Sequence, residues 1–318
     1  MNKLYMGLDI GSVSAKGVII DEYNNIISSS YLYTEGNPIK ACKQVIRNMR
    51  KNINLENDVV VSVGTTGFAR KLIGTMLSAS VIKNEITAEV MGTISLYPDV
   101  KTIFEIGGED SKIILINDGT ILDYEINNLC SSGTGAFIDS LSKRLNIRIE
   151  DISDIALRSK KKINLASRCM IFAEADLIHK IGTGYEREDV IAAVCNGIAI
   201  NYINNVCKGK KILSPIVFNG GVSKNMAIVK ELENCIHEKI IVNKNSQFMG
   251  AIGIAIMARD SKKERKFDFN IDNYSLETKM VCCNKCANNC EIVNVYKNND
   301  LIDHWGNRCN KVDKIKNV

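Results

Sequence analysis

The stretch LDIGSVSAKGVIID, residues 8–21, is the strongest indication of the fold because its pattern recurs in FEIGGEDSKIILIN at residues 104–117. Both copies place an acidic residue, Ile-Gly, a polar turn, a lysine and a β-branched run at the same spacing. Apolar residues on both sides of a glycine-containing turn predict a strand, a turn and a second strand. The chain therefore contains one predicted β-hairpin twice, and this predicts two related halves.

The residues after each hairpin predict how the two halves continue. A third strand follows each copy, a helix and a short strand complete the first half, and the longer second half adds three helical patterns before strands and helices alternate. The predicted strands are NNIISSSYLY (24–33), DVVVSVG (58–64), GTILDYEI (119–126), SPIVFNGG (214–221) and KIIVN (239–243), and the predicted helices lie at 39–52, near 134–145, 170–180 and 187–207, between the last two strands, and near 247–259. The pattern predicts an α/β protein with one lobe at 1–95 and a second lobe at 96–260.

The glycine turns of the two hairpins predict a nucleotide site. Two halves that face each other place both turns at one cleft, where backbone N–H groups approach phosphates without a Cβ in the way. A third turn, in FNGGVSKNM (218–226), lies between a predicted strand and a helix, where a base or ribose can rest against bare backbone. The chain contains neither the P-loop pattern nor the dinucleotide-binding pattern. The three turns together predict a nucleotide clamp, and the alternative is two ordinary hairpins that share a turn by chance.

The composition argues against several classes of function. With 318 residues and 45% hydrophobic content, the chain is long enough for two packed domains. Its 41 basic residues are scattered and the net charge is only +5, so the pattern does not favour nucleic-acid binding. The first residues predict a strand rather than a signal peptide, and no apolar run is long enough for a membrane span. We therefore expect a cytoplasmic protein with neither a membrane nor a nucleic acid as partner.

Eleven cysteines in a reducing compartment indicate metal or redox chemistry rather than disulfides. Cys130 stands in NNLCSSGTGAF (127–137), before a predicted helix start, and a helix N-terminus stabilises a thiolate. Cys169 lies 39 residues later, at the start of the helical pattern CMIFAEADL (169–177). Both cysteines are either buried small side chains or cluster ligands. Two thiolates cannot fill the four cysteine positions of a [4Fe–4S] cluster, so a cluster requires a second subunit.

Several of these stretches resemble known ATPases. DIGSVSAKG (9–17), EIGGEDSK (105–112) and NGGVSKN (219–225) resemble the phosphate-1, phosphate-2 and adenosine elements of the actin, Hsp70 and sugar kinase superfamily. Together with GTTGFAR (64–70) and the two cysteine stretches, they resemble the BadF/BadG/BcrA/BcrD type of ATPase over about residues 3–260. This group comprises ATP-dependent activators of 2-hydroxyacyl-CoA dehydratases and the ATPase subunits of benzoyl-CoA reductases. The resemblance implies two facing RNase H-like lobes that hold ATP and Mg²⁺ between them.

The resemblance also implies an electron-transfer mechanism. The family's cysteine elements match at Cys130 and Cys169, which implies one [4Fe–4S] cluster that bridges a homodimer. A reduced ferredoxin or flavodoxin would supply the electron, and ATP would drive it to an iron–sulfur dehydratase or reductase. Such coupling requires that nucleotide states bind the two lobe arrangements with different affinity.

Site roles are expected at the matching positions. Carboxylates suit a hard cation, so Asp9 and Asp110 are expected to organise Mg²⁺ and water near the terminal phosphate. Lys16 is expected to neutralise phosphate, with a solvated strand lysine as the alternative. Glu109 departs from the family, where glutamine is frequent, so the family's hydrolysis rate does not carry over if this side chain positions the attacking water. The remaining residues are expected to cradle phosphates (Gly11, Ser12, Gly107 and Gly108) or to line the nucleoside (Gly220, Gly221 and Asn225).

A different pattern begins near residue 261. A charged, Asn-rich linker at 261–281 precedes a cysteine-rich tail at 282–318, which contains CCNKCANNC (282–290) and GNRC (306–309). Four tail sulfurs are enough for a Zn²⁺ site or a second Fe–S cluster, and their spacing does not separate the two metals. The expected ligands are Cys283, Cys286, Cys290 and Cys309, with Cys282 as a substitute for Cys283. The tail resembles the cysteine-rich stretch that follows the ATPase modules of larger activator-like proteins.

Two other functions remain as alternatives. A small-molecule kinase of the same fold would need a substrate pocket and a catalytic base between the lobes, and the chain has no recognisable sugar-site motif. A non-catalytic ATP-binding protein would use the tail for a structural zinc. Neither alternative needs Cys130 and Cys169 as a pair, so iron content separates both of them from the electron donor.

Overall fold

Two five-stranded sheets form the body of the protein. The structure, a computed structural model, describes residues 1–127, 133–165, 170–273, 276–297 and 299–309. The strands of the first sheet are β1 (Asn2–Ile10), β2 (Ser14–Ile20), β3 (Ile26–Tyr33), β4 (Asp58–Thr66) and β5 (Val81–Ile82). Those of the second sheet are β6 (Thr102–Ile106), β7 (Ser111–Asn117), β8 (Thr120–Asn127), β9 (Ile216–Asn219) and β10 (Ile240–Val242).

The two sheets have the same topology. The first has the order β3-β2-β1-β4-β5 and the second, read from the corresponding edge, has the order β8-β7-β6-β9-β10. In each sheet the first three strands pair antiparallel and the last two join in parallel. Asp9 faces Lys16 across the first hairpin, and Glu105 faces Lys112 across the second. The sequence repeat is therefore also a repeat of strand pairing and register.

Helices cover both faces of each sheet, which explains why β6 is buried along its whole length and why β1 is buried from its third residue onward except at Asp9, which is partly buried. The helices within the described ranges are α1 (Pro38–Arg50), α2 (Arg70–Leu77), α3 (Glu85–Leu96), α4 (Gly135–Leu145), α5 (Ile152–Leu157), α6 (Met170–Gly182), α7 (Arg187–Asn205), α8 (Met226–Ile236) and α9 (Met249–Asp260). None of them is long and apolar enough to cross a membrane. On one face, α1 and α2 pack against the first sheet, and α4, α7 and α8 pack against the second.

Helices α3 and α9 are exchanged between the lobes. Helix α3 follows the first sheet in the chain, but its Ile86 and Val90 are buried against Ile103 and Val217 of the second sheet. Helix α9 ends the second half, but its residues pack on the first sheet, with Ile252 and Ile256 in one cluster with Tyr5, Val18 and Val61. The last helix of the range predicted as the second lobe, 96–260, is thus part of the core of the first sheet.

The two exchanged helices cross at very short distance. A Cβ on Gly253 would lie 1.8 Å from the carbonyl oxygen of Ala88, and one on Gly92 would lie 2.2 Å from that of Met249. Only glycine permits this approach, because any side chain would collide with the backbone of the other helix. The crossing therefore joins the two lobes through helix backbones.

The first part of the predicted linker is packed against the first lobe. Phe267 and Ile271 are buried in the core of the first sheet. The backbone N–H groups of Arg265 and Phe267 donate to the carbonyls of Val61 and Val60 at 2.6 and 2.8 Å. Apolar residues between charged neighbours thus add a packed segment at 264–271, where the composition alone predicts a linker.

A small third sheet lies at the end of the described chain. It consists of β11 (Glu277–Cys282), β12 (Glu291–Lys297) and β13 (Asp300–Trp305), in the order β11-β12-β13. Few side chains are buried here, namely Ile292 and Val295 of β12 and Cys283 and Cys290 in the connection between β11 and β12. Thr75 Oγ1 of α2 donates to Asp303 Oδ2 at 2.8 Å, which ties this sheet to the first lobe.

Candidate active site

The two glycine turns lie at one cleft between the lobes. The turns join β1 to β2 and β6 to β7, and both line a cavity of about 310 Å³. This volume is at the lower end of the range for small-molecule pockets. Of the predicted phosphate, nucleoside and Mg²⁺ residues, the cavity is lined by Asp9, Gly11, Ser12, Lys16, Gly107, Gly108, Glu109, Asp110 and Gly220.

Both turns have the same internal geometry and contact each other. Gly11 N donates to Ser14 O at 2.9 Å, and Gly107 N donates to Asp110 O at the same distance. Gly108 packs on the first turn so closely that a Cβ there would lie 2.7 Å from Val13 Cβ. Ser12 Oγ donates to Glu109 Oε2 at 2.5 Å. The two turns therefore face each other across a narrow gap, as a phosphate clamp requires.

Two lysines are held by carboxylates at the floor of the cleft. Lys16 Nζ lies 3.2 Å from Asp9 Oδ2, and Lys112 Nζ lies 2.8 Å from both Glu105 Oε2 and Asp110 Oδ1. Burial by itself lowers the pKa of Lys16, but the negative charges of Asp9 and Glu105 outweigh it and raise that pKa above its ordinary value. Burial is likewise outweighed at Lys112, where Glu105 and Asp110 raise the pKa. Both lysines are therefore charged at neutral pH.

Helix α3 adds two carboxylates to the cleft, Glu85 and Glu89. Burial raises the pKa of Glu85. Burial, reinforced by the charge of Glu105, raises the pKa of Glu89 to about 8. The Oε1 atom of Glu89 is buried and has no hydrogen-bond partner among the described residues. Burial therefore favours the protonated form of Glu89 at neutral pH, and this carboxyl group of the cleft lining has one oxygen without a hydrogen-bond partner in the described structure.

The Gly-Gly turn contributes one of its two glycines to the cleft. Gly220 lines it with a φ of +85°, and a Cβ on it would lie 2.2 Å from Ile106 O. Gly221 and Asn225 do not belong to the cavity lining. The Asn225 side chain instead caps α8, accepting from the N–H groups of Ala227 and Ile228 at 3.1 and 3.2 Å. The predicted nucleoside role of Asn225 thus competes with a helix cap that already occupies its side-chain oxygen.

The start of α4 is bound directly to the second glycine turn. Gly135 N donates to Gly107 O at 2.9 Å, and Ala136 N donates to Gly108 O at 2.8 Å. These bonds satisfy two of the donors that a helix N-terminus leaves open. Any displacement of the turn is therefore transmitted to the first turn of α4.

The predicted cluster ligands Cys130 and Cys169 lie outside the described residues. Helices α4 and α6 begin at Gly135 and Met170, so each described helix starts shortly after one of these cysteines in the chain. The structure thus agrees with the predicted helix positions, and the ligand roles of the two cysteines stay predictions.

The tail brings together only part of its expected metal ligands. Cys283 and Cys290 are buried in one cluster with Ile292, and Cys283 N donates to Cys290 O at 2.8 Å. Cys286 is exposed and Cys309 is half-buried. Within the described part of the chain, no three His, Cys, Asp or Glu side chains form a metal-binding group. This arrangement does not fit a four-sulfur tail site, and Cys282, which is exposed, does not replace Cys283 in the buried pair.

Several cleft residues were absent from the sequence-based set. They are Val13, Ser14, Phe68, Arg70, Glu85, Glu89, Glu105, Lys112, Ser246, Gln247 and Gly250. Glu105 and Lys112 could have been predicted from the sequence, because they occupy the positions of Asp9 and Lys16 in the second hairpin. Glu85 could also have been predicted, since Asn84 accepts from Thr87 N at 2.8 Å as the N-cap of α3 and such a cap is readable from sequence. Gly250 could not have been predicted from the sequence, because its place in the cleft depends on the packing of α9 against the first sheet.

The family follows from a comparison with known proteins. Residues 6–258 match the model of the BadF/BadG/BcrA/BcrD ATPase family. The chain belongs to this family. It is similar to the 2-hydroxyisocaproyl-CoA dehydratase activator of Clostridioides difficile, with 29% identity over 81% of this chain and 96% of that protein.

Solved structures confirm the predicted α/β fold with two facing lobes. The activator of the 2-hydroxyisocaproyl-CoA dehydratase from Clostridium difficile with bound ADPNP matches with a TM-score of 0.76 and 27% identity, over 82% of this chain and 96% of that one. A ROK family glucokinase from Streptomyces griseus matches with a TM-score of 0.50 and 14% identity, over 81% and 99% of the two chains. The glucokinase shows a shared fold alone.

Proposed function

We propose that this ATPase is an electron donor that activates a partner 2-hydroxyacyl-CoA dehydratase or a related iron–sulfur reductase. The observation that carries the proposal is the attachment of α4 to the second glycine turn through Gly135 and Ala136. It connects the nucleotide cleft to the helix that follows the Cys130 stretch. The similarity to a dehydratase activator supports the same function.

The cleft suits a nucleoside triphosphate. The two facing glycine turns line the cleft, where backbone N–H groups that are not bonded within the turns would hold phosphate oxygens, and charged Lys16 and Lys112 would supply positive potential. The hydrogen bond between Ser12 and Glu109 spans the gap between the turns. Because a carboxylate repels phosphate, the Glu109 side chain has to move aside when a terminal phosphate enters. We therefore expect the hydrogen bond between Ser12 and Glu109 to break when a phosphate occupies the gap, and we do not expect Glu109 to be a fixed phosphate ligand.

The nucleotide state reaches the cysteine stretch through backbone contacts. Loss of the terminal phosphate changes what the second turn holds, and α4 follows this turn through its two hydrogen bonds. A [4Fe–4S] cluster held by Cys130 and Cys169 of two copies supplies, when bound, a one-electron carrier. The two thiolates of one chain are half of such a four-cysteine set, which fits this donor chemistry. Movement of a helix N-terminus next to these thiolates alters the electrostatic potential there.

The partners are proposed on the same basis. A homodimer completes the cysteine set, a reduced ferredoxin or flavodoxin is the electron source, and an iron–sulfur dehydratase or reductase is the acceptor. Mg²⁺ accompanies ATP, and the sequence-based carboxylates for it, Asp9 and Asp110, both line the cleft. A cytoplasmic location stays a prediction of the sequence.

Iron content and EPR spectroscopy test the proposal on dithionite-reduced protein purified without oxygen. We expect about four irons per two copies and a cluster signal that is lost in Cys130→Ala. Cys235→Ala, on α8, is the matched control and is expected to keep the signal. Protein that contains zinc but no iron, or a signal that survives in Cys130→Ala, would contradict the proposal. Iron-free protein that phosphorylates a sugar would favour the kinase.

A further inference from the structure

A second cavity lies in the second lobe, apart from the nucleotide cleft. It has a volume of about 450 Å³, within the range of small-molecule pockets, and it shares none of its described lining residues with the cleft. Helices α5, α7 and α8 and the segment at 159–164 contribute its lining. Binding of ATP between the lobes therefore does not explain this cavity.

Positive charge predominates at this second cavity. Lys230 and the three lysines at 160–162 belong to its lining, and Glu231 supplies the single carboxylate among the described lining residues. Glu231 Oε2 accepts from Asn196 Nδ2 at 2.7 Å. Within the described ranges none of the four lysines is in an ion pair, whereas both lysines of the nucleotide cleft are. Like charges on one concave surface repel each other, and an anion between them relieves this repulsion.

A buried carboxylate holds the backbone of the lysine segment 160–162. Asp189, near the start of α7, is 3% exposed, and its Oδ1 accepts from Ser159 Oγ at 2.8 Å. The same oxygen accepts from Lys160 N at 2.8 Å and from Lys161 N at 3.0 Å. Donation by Lys161, Ser159 and Lys160 lowers the pKa of Asp189, so this carboxylate is charged at neutral pH. The lysines therefore extend from a fixed backbone rather than from an unanchored charged loop.

The lining also has an apolar part. Helix α5 contributes Ala156 and Leu157, helix α7 contributes Ala192 and Ala193, and Ile163 follows the lysine segment. The alanine side chains are short and leave space beside the lysines. Inorganic phosphate alone gains nothing from such a surface, whereas a ligand with a hydrocarbon or ring portion buries apolar area on it.

We propose that this cavity binds a small organic phosphate, with the phosphate at the four lysines and the organic portion against the alanines of α5 and α7. A phosphate monoester carries about two negative charges near neutral pH. Lysine ammonium groups are compact donors that bind phosphate oxygens through charge-assisted hydrogen bonds. The site is separate from the nucleotide cleft, and the inference does not depend on the proposed function.

Isothermal titration calorimetry of the full-length protein with phenyl phosphate tests the site. Lys160→Gln/Lys162→Gln removes two of the ammonium groups, and we expect it to raise the Kd about tenfold or more, because charge-assisted hydrogen bonds are lost. Lys208→Gln/Lys211→Gln is the matched control, since it removes the same charge from exposed positions of the same lobe that do not line the cavity. We expect it to change the Kd less than about threefold, because a distant exposed charge is screened.

A third variant, Ala192→Leu, tests the apolar part of the site. It keeps all four lysines but fills part of the space at α7. We expect it to raise the Kd for phenyl phosphate about tenfold and to change the binding of inorganic phosphate less than about threefold. Circular dichroism verifies that each variant is folded, and the two lysine pairs decide the outcome if Ala192→Leu is not.

Three results would overturn the inference. The first is the absence of saturable phenyl phosphate binding to the wild-type protein. The second is an equal effect of the two lysine pairs, which would place the phosphate elsewhere, for example in the nucleotide cleft. The third is wild-type binding of phenyl phosphate in folded Ala192→Leu, which would show that the lysines attract any anion and that the cavity does not receive an organic portion.

Discussion

Gly220 and Gly221 are neighbours in the sequence, but the fold constrains them very differently. Gly220 has a φ of +85° and a backbone oxygen 2.2 Å from the position of a Cβ, whereas nothing lies within 4 Å of a Cβ on Gly221. We expect Gly220→Ala to destabilise the protein by at least about 1–3 kcal/mol from backbone strain alone. The urea concentration at the unfolding midpoint of Gly221→Ala is expected to equal that of the wild-type protein. Equal unfolding midpoints for the two variants would show that the turn relaxes around a methyl group.

Lys112 is a buried cation that neutralises the charge of two neighbouring carboxyl groups. Its side chain is 6% exposed and lies 2.8 Å from Glu105 and Asp110. Lys112→Met leaves a buried carboxylate without its counter-charge, and we expect a loss of about 3–5 kcal/mol in the free energy of unfolding at neutral pH. The double variant Lys112→Met/Glu105→Gln is expected to recover part of this loss. Urea unfolding of both variants measures it, and a single variant as stable as the wild type would argue against the network.

At the scale of elements, the crossing of α3 and α9 holds the lobes together. A Cβ on Gly253 would lie 1.8 Å from Ala88 O, so Gly253→Ala has to push the helices apart. Overpacking of this kind costs about 1–3 kcal/mol. Because α3 covers the second sheet and α9 the first, we also expect weaker nucleotide binding at the cleft between them.

Gly182, at the end of α6, provides the control for this variant. Nothing lies within 4 Å of a Cβ there, so Gly182→Ala is expected to be neutral or slightly stabilising. Thermal unfolding followed by circular dichroism distinguishes the two variants. A melting temperature of Gly253→Ala equal to that of Gly182→Ala would contradict the close crossing.

At the scale of the whole molecule, the tail sheet is expected to unfold separately from the two lobes. The chain has a single tryptophan, Trp305, and it lies in β13, so tryptophan fluorescence reports on this sheet alone. A three-stranded sheet with so few buried side chains is marginally stable by itself. We expect the fluorescence transition in urea to precede the transition in far-ultraviolet circular dichroism. Coincident transitions would show that docking through Thr75 and Asp303 makes the tail part of one cooperative unit.

Sequence reasoning recovered those parts of the fold that depend on local patterns. Periodicity correctly predicts both hairpins, the third strand of each sheet, and helices α1, α4 and α7. It does so because strand–turn–strand and helical spacing are properties of neighbouring residues. Helices α2, α3 and α5 were not predicted, although Asn84 marks the start of α3. The packed segment around Phe267 was also missed, because charged neighbours mask its apolar residues.

Local sequence patterns were enough to predict two repeated hairpins with paired acidic and lysine residues, and therefore two glycine turns at one cleft. These features are encoded within short stretches. The exchange of α3 and α9 between the lobes, which places Glu89 and Gly250 beside Asp9, is seen only in the three-dimensional structure. The contacts among these three residues join distant parts of the chain, and their geometry follows from how helices pack on sheets. No local pattern of residues contains that information.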